Sequence, residues 1–145
     1  MMNFKDAVRS GEFFIAKDLA SKMDGETLLD TLFLLAYEEE SIAPLGFANY
    51  LLLEDETAEN HYKVSFLLCM ALNYINGAYQ TSFHHAKKAM ELSPNDNSYK
   101  EFLLFFNSLP EKLLSNQEAI AIAYKILEND SNNNKVLSVI NELNN

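Results

Sequence analysis

Three histidines, one cysteine and several runs of carboxylates are the side chains of this 145-residue chain that could do chemistry. His61, His84 and His85 titrate near neutrality without help, which makes them the first candidates for proton transfer or metal ligation. Neighbours on a helix diverge by about 100°, so His84 and His85 do not share one metal from one helix face. No acid or second imidazole lies four residues from any of the three to complete a two-ligand face. His84 falls on a polar face with Gln80, Lys87 and Glu91, and His61 at the exposed start of its segment. Cys69 stands inside Phe66-Leu67-Leu68-Cys69-Met70, where burial would raise its pKa and leave the thiol inert. A lone thiol forms no internal disulfide, and the CxxC and Cys/His spacings of zinc sites are missing. Glu38-Glu39-Glu40 and Glu54-Asp55-Glu56 put paired carboxylates at segment ends, where they oppose the helix dipole at small cost and are free to bind. No Gly-rich phosphate loop, GxSxG elbow or HExxH helix is present. These residues point to no catalysis, no cofactor and no metal.

The charge is unevenly placed. The chain carries 21 acids against 11 bases for a net −10, and residues 23–62 contain neither Lys nor Arg. That stretch holds Asp24, Glu26, Asp30, Glu38, Glu39, Glu40, Glu54, Asp55, Glu56 and Glu59, so the remainder of the chain is balanced. Phosphate backbones require clustered cations, and here a single arginine, Arg9, accompanies scattered lysines, which excludes nucleic acid as the expected partner. A one-sided acidic surface instead attracts a basic protein and speeds encounter. Tyr37, Tyr50, Tyr62 and Tyr74 fall in or beside this acidic stretch, and tyrosine is a residue type favoured at interfaces. The opening residues lack the pattern of a signal peptide, and the longest apolar run, 66–72, is far short of the roughly 18 residues of a membrane span. The expectation is a cytoplasmic protein with no membrane partner.

The elements that must position these groups read as helices throughout. Four glycines and three prolines are too few for a β domain, and apolar residues recur at intervals of three and four. Tyr79, Phe83, Ala86, Ala89 and Met90 share one face; Ala119, Ile122, Ala123, Ile126 and Leu127 form another stripe behind Ser115-Asn116-Gln117-Glu118, which has capping-box spacing. Turn signals divide a single all-α domain, 1–145, into about nine helices: 3–10, 12–22, 25–39, 41–53, 57–76, 79–92, 97–107, 116–128 and 132–143. The segment 57–76 is apolar on nearly every side from Val64 to Ile75 and should lie centrally.

A degenerate internal pattern links the segments. Gly11-x-Phe13-x-x-Ala16-x-x-x-Ala20 matches Gly77-x-Tyr79-x-x-Ser82-x-x-x-Ala86 at an offset of 66, with further copies at Ala119-x-x-x-Ala123 and Ala43-x-x-x-Phe47. Small residues at these positions let two helices approach closely, and a repeat near 34 residues implies stacked hairpins. Through Gly77, Tyr79, Ser82, Ala89 and Pro94-Asn95-Asp96, the chain resembles the tetratricopeptide repeat family. It departs from the family in placing Ala86 where an aromatic is usual and in spacing its copies by 27, 39 and 37 residues. The resemblance implies antiparallel stacked hairpins in a right-handed superhelix, with repeats at 3–22, 25–53, 57–92 and 97–128 and a capping helix at 132–143. It further implies a concave groove lined by first helices. Candidate groove residues are Tyr37, Asn73, Tyr99 and Asn107, with Asp30, Glu38 and Glu59 near the edge.

The function expected is binding of a peptide or protein partner, through the groove or through the acidic surface that includes Glu39, Glu40, Glu54 and Glu56. An immunity or antitoxin-type inhibitor of a basic toxin is an alternative, and a small-ligand domain or enzyme whose site is assembled from the histidines is another. An imperfectly covered end of the stack would offer a face for homodimerisation.

Overall fold

The computed structural model describes all residues 1–145 and is all-α, with nine helices, 72% of residues helical and no strand. In chain order they are α1 Phe4–Arg9, α2 Phe13–Ala20, α3 Gly25–Glu39, α4 Ala43–Glu54, α5 Ala58–Met70, α6 Ala78–Leu92, α7 Asn97–Ser108, α8 Asn116–Asn129 and α9 Asn134–Leu143. None is long and apolar enough to cross a membrane.

Short polar residues set the helix starts. Asn3, Asp24, Thr57, Asp96 and Asn133 each accept a backbone N–H of the following first turn, satisfying one of the donors that a helix leaves unpaired. Before α8 the capping box is complete: Ser115 Oγ accepts the Glu118 N–H at 3.1 Å, and the Glu118 carboxylate accepts the Ser115 N–H at 3.0 Å. The helix expected over 57–76 ends instead at Met70. Residues 71–77 tighten into turns, opened by a wide turn from the Leu72 N–H to the Leu67 carbonyl, and Asn73 donates back to the Cys69 carbonyl at 3.1 Å. Gly77, at φ +84°, then reverses the chain into α6, a conformation that costs glycine little.

Adjacent helices pack in sequence, and the α5–α6 contact is the most extensive. The largest core joins α1 to α5 around Leu32, Phe47, Leu67 and Leu72, all fully buried. Phe47 there meets Phe4 edge-on at 5.6 Å and Phe13 at 5.8 Å. Gly46 allows this approach, since a β-carbon on it would lie 3.1 Å from the Phe13 ring. Two smaller clusters continue the core, one around Leu103 and Phe106, the other around Ile126 and Val136. Ala16, Ala20, Ser82, Ala86, Ala119 and Ala123, the small residues of the internal pattern, are all buried.

The α5–α6 pair is antiparallel and held by a polar seam. Ser65 Oγ donates to the Ser82 carbonyl and Ser82 Oγ to the Ser65 carbonyl, each at 2.7 Å and fully buried. Such reciprocal bonds require backbones close enough for a two-atom side chain to span, so the seam both permits and fixes the close crossing. Ser65→Ala or Ser82→Ala alone should cost about 1–3 kcal/mol, because each leaves a buried partner short of a bond. Chemical denaturation of both single variants and the double variant checks this: the double should cost less than the sum of the singles.

Candidate functional site

A band of aromatic rings crosses α3, α5 and α7. Tyr37 stacks on Phe33 at 5.6 Å, Phe33 meets Phe66 at 5.8 Å, and Phe66 meets Tyr62 at 5.8 Å. Tyr62 in turn contacts Tyr99 at 5.9 Å and Phe102 at 5.0 Å. The spacing builds the band: Phe33 and Tyr37, then Tyr62 and Phe66, are four apart on their helices, while Tyr99 and Phe102 are three apart, so each pair lies along one helix face. Tyr37 is 61% exposed, and the other five rings are half-buried. Two of the sequence candidates, Tyr37 and Tyr99, therefore sit at opposite ends of one surface. Phe33, Tyr62, Phe66 and Phe102 complete it. The aromatic spacing on α3, α5 and α7 was the signal that could have marked them.

Acids border the band. The Tyr99 hydroxyl is pushed above its ordinary range by burial and by the negative field of Asp96 and Glu59. Glu59 also lies beside Gly25 at the start of α3 and pairs with buried Lys63 at 3.2 Å. Asp30 is exposed and falls three residues before Phe33, on the same side of α3.

The other candidates have local partners. Asn73 binds the end of α5, and Asn107 donates to the Leu114 carbonyl at 3.0 Å and to Asn116 at 2.9 Å, so both hold turns rather than line the band. Glu39 takes a two-pronged bond from Arg9, at 3.1 and 2.7 Å, which holds its carboxyl below the usual range. Glu54 is held low by Lys17 and the Tyr50 hydroxyl. Glu38 and Glu40 are exposed without a cation, and Glu40 closes α3 at φ +50°.

His61, expected at an exposed helix start, is instead only 4% exposed, because α6 docks over that face of α5. Its Nε2 lies 2.9 Å from the Glu56 carboxylate and its Nδ1 lies 2.9 Å from Nδ1 of His85. Glu56 accepts only, so His61 carries its proton on Nε2. One of the two facing Nδ1 atoms must also carry a proton, and a neutral pair places it on His85. Folding thus assembles a Glu56–His61–His85 chain that stores one proton position in the α5–α6 interface. Desolvation, with the nearby charges of His61 and His84, pushes His85 down to about 4. His84 stays exposed beside it, the two rings 5.1 Å apart. No group of three His, Cys, Asp or Glu side chains converges as a metal site. Cys69 is buried, and burial pushes its thiol up to about 11.

The depressed His85 pKa makes stability depend on pH with a definite sign. An unfolded chain takes up this proton near the ordinary value of about 6.5, before the folded one does. The contribution is therefore complete above that value and is lost as pH falls toward 4. Melting curves at pH 7 and 4.5 should show a smaller drop in Tm for His85→Gln than for the unaltered protein, the carboxylate contributions being common to both.

No protein-family model matches the chain, and neither a curated protein nor a solved structure does.

Proposed function

We propose that this protein is a non-enzymatic interaction module that holds a peptide or protein segment on the aromatic face of α3, α5 and α7. The observation that carries this reading is the unbroken contact of six partly exposed rings across three helices. Aromatic surface left facing water gains from being covered, and tyrosine combines an apolar ring with a polar tip, the mixture that dominates binding hot spots. The furrows between the helices that carry the rings suit a segment that inserts side chains at intervals.

The architecture proposed with this reading is a tetratricopeptide-like stack of hairpins in a right-handed superhelix, working in the cytoplasm. The acidic border around Glu59, Asp96 and Asp30 would steer a basic segment toward the rings, most strongly at low salt. Membrane and nucleic acid are not among its partners in this reading. A second reading, an immunity or antitoxin-type inhibitor of a basic toxin, is favoured by one observation: Glu26, Asp30, Glu38, Glu40 and Asp55 are exposed and have no cation partner. In that case the acids, not the rings, carry the energy.

Capture from the source cell with immobilised protein separates the two. A partner held through the rings should be lost with Tyr37→Ala plus Tyr99→Ala, a loss of about 2 kcal/mol or more for each true hot spot. It should persist, with slower association, with Glu38→Gln plus Glu40→Gln. The opposite pattern would move the site to the acidic surface, and a partner indifferent to both pairs would contradict both readings.

A further inference from the structure

Lys63 and Lys100 are buried to nearly the same depth, 5% and 8% exposed, yet their surroundings differ. Lys63 donates to the Glu59 carboxylate and to Asn60 Oδ1, each at 3.2 Å. Lys100 has the Pro94 carbonyl as its partner and makes no ion pair; the cations that do are Arg9, Lys17, His61, Lys63, Lys88 and Lys125. An ammonium carries three donors, and a buried one without a carboxylate is costly. Asp96 feels the charge of Lys100 across space, but its Oδ1 accepts from both the N–H and the hydroxyl of Ser98, at 3.0 and 2.6 Å.

Lys100 lines a cleft of about 540 Å³ between the end of α6, the start of α7 and the outer face of α8. That volume lies within the range of roughly 300–1,000 Å³ usual for small-molecule sites. Met90, Ala121 and Ile122 form its apolar wall, and Asn95 and Asn129 supply amides at its rim. Lys125 and Glu128 also line it, 3.8 Å apart and largely exposed, a loose pair worth little that leaves Lys125 able to turn to a ligand, while Lys100 has no carboxylate within ion-pair distance.

We propose that this cleft binds a small amphipathic anion, a carboxylate or phosphate head on a short apolar body. The head meets the free donors of Lys100 with help from Lys125, and the body covers Met90, Ala121 and Ile122. The site is separate from the aromatic band and stands or falls independently of it. In a protein of net charge −10, an anion has no general reason to bind, so affinity for one reports a local site.

The test follows the Met90 methyl resonance by NMR while octanoate, octyl phosphate, octanol or octyltrimethylammonium is added. Octanoate or octyl phosphate should shift it saturably, with the Met23 methyl in the amino-terminal core unmoved, and whichever head binds more tightly identifies the source chemistry. Octanol and octyltrimethylammonium should bind at least about tenfold more weakly, as expected when a charged hydrogen bond is lost. Lys100→Met, which keeps the length and apolar stem, should remove anion binding. Lys125→Ala, at an exposed position that leaves the fold intact, should weaken it. The absence of a saturable Met90 shift with either anion would overturn the proposal. So would equal binding of the cationic amphiphile, or unchanged anion affinity in Lys125→Ala together with any folded Lys100→Met protein.

Discussion

The reciprocal Ser65–Ser82 hydrogen bonds set the distance between α5 and α6, and much of the molecule follows from that distance. Two serines can satisfy each other's backbone carbonyls only when the helices cross closely, and Ala78, Ala86 and Ala89 keep bulk out of the way. Once α6 is that close, His61 one turn before Ser65 is covered, and its imidazole must find partners within the protein. Glu56 and His85 are those partners. With one side of α5 committed to α6, its other side, bearing Tyr62 and Phe66, is turned toward α3 and α7, where the aromatic band forms.

The acidic stretch does two kinds of work. Glu39 and Glu54 reach back to Arg9 and Lys17 and tie α3 and α4 to the first two helices, although exposed pairs of this kind are worth little individually. Glu56 orients His61, and Glu59 neutralises Lys63. The remaining acids face water. The negative charge concentrated in this stretch of the sequence is thus partly consumed by folding, and Glu26, Asp30, Glu38, Glu40 and Asp55 are what it leaves exposed and unpaired.

Much of the architecture was legible because local chemistry and global packing agree. The Ser115–Glu118 capping box, the Asp24 and Asp96 helix starts and the buried small residues are readable from residue type and spacing. The end of α5 was not, because Ala71, Leu72, Tyr74 and Ile75 continue the apolar pattern while Asn73, Asn76 and Gly77 interrupt it, and the turn that buries Ala71 and Leu72 packs with α6 present. The burial of His61 was hidden for the same reason: a histidine in the first turn of a helix reads as exposed until His85 and the rest of α6 are set against it. Tyr37 and Tyr99 were visible as interface-type residues, whereas Phe33, Phe66 and Phe102 were not singled out, since phenylalanine type alone does not tell a buried ring from one lying on a shared surface. Asn73 and Asn107 show the converse, side chains suited to recognition that the backbone itself claims.

Native-state hydrogen exchange followed along the chain tests most directly the claim that the α5–α6 seam organises the molecule. If it does, the amides of α5 and α6 exchange last and only through global unfolding, while the terminal α1 and α9 open first and α3 and α7 lie between. Slower exchange in α3–α4 or α7–α8 than in α5–α6, with the seam opening while either flank stays protected, would contradict the account.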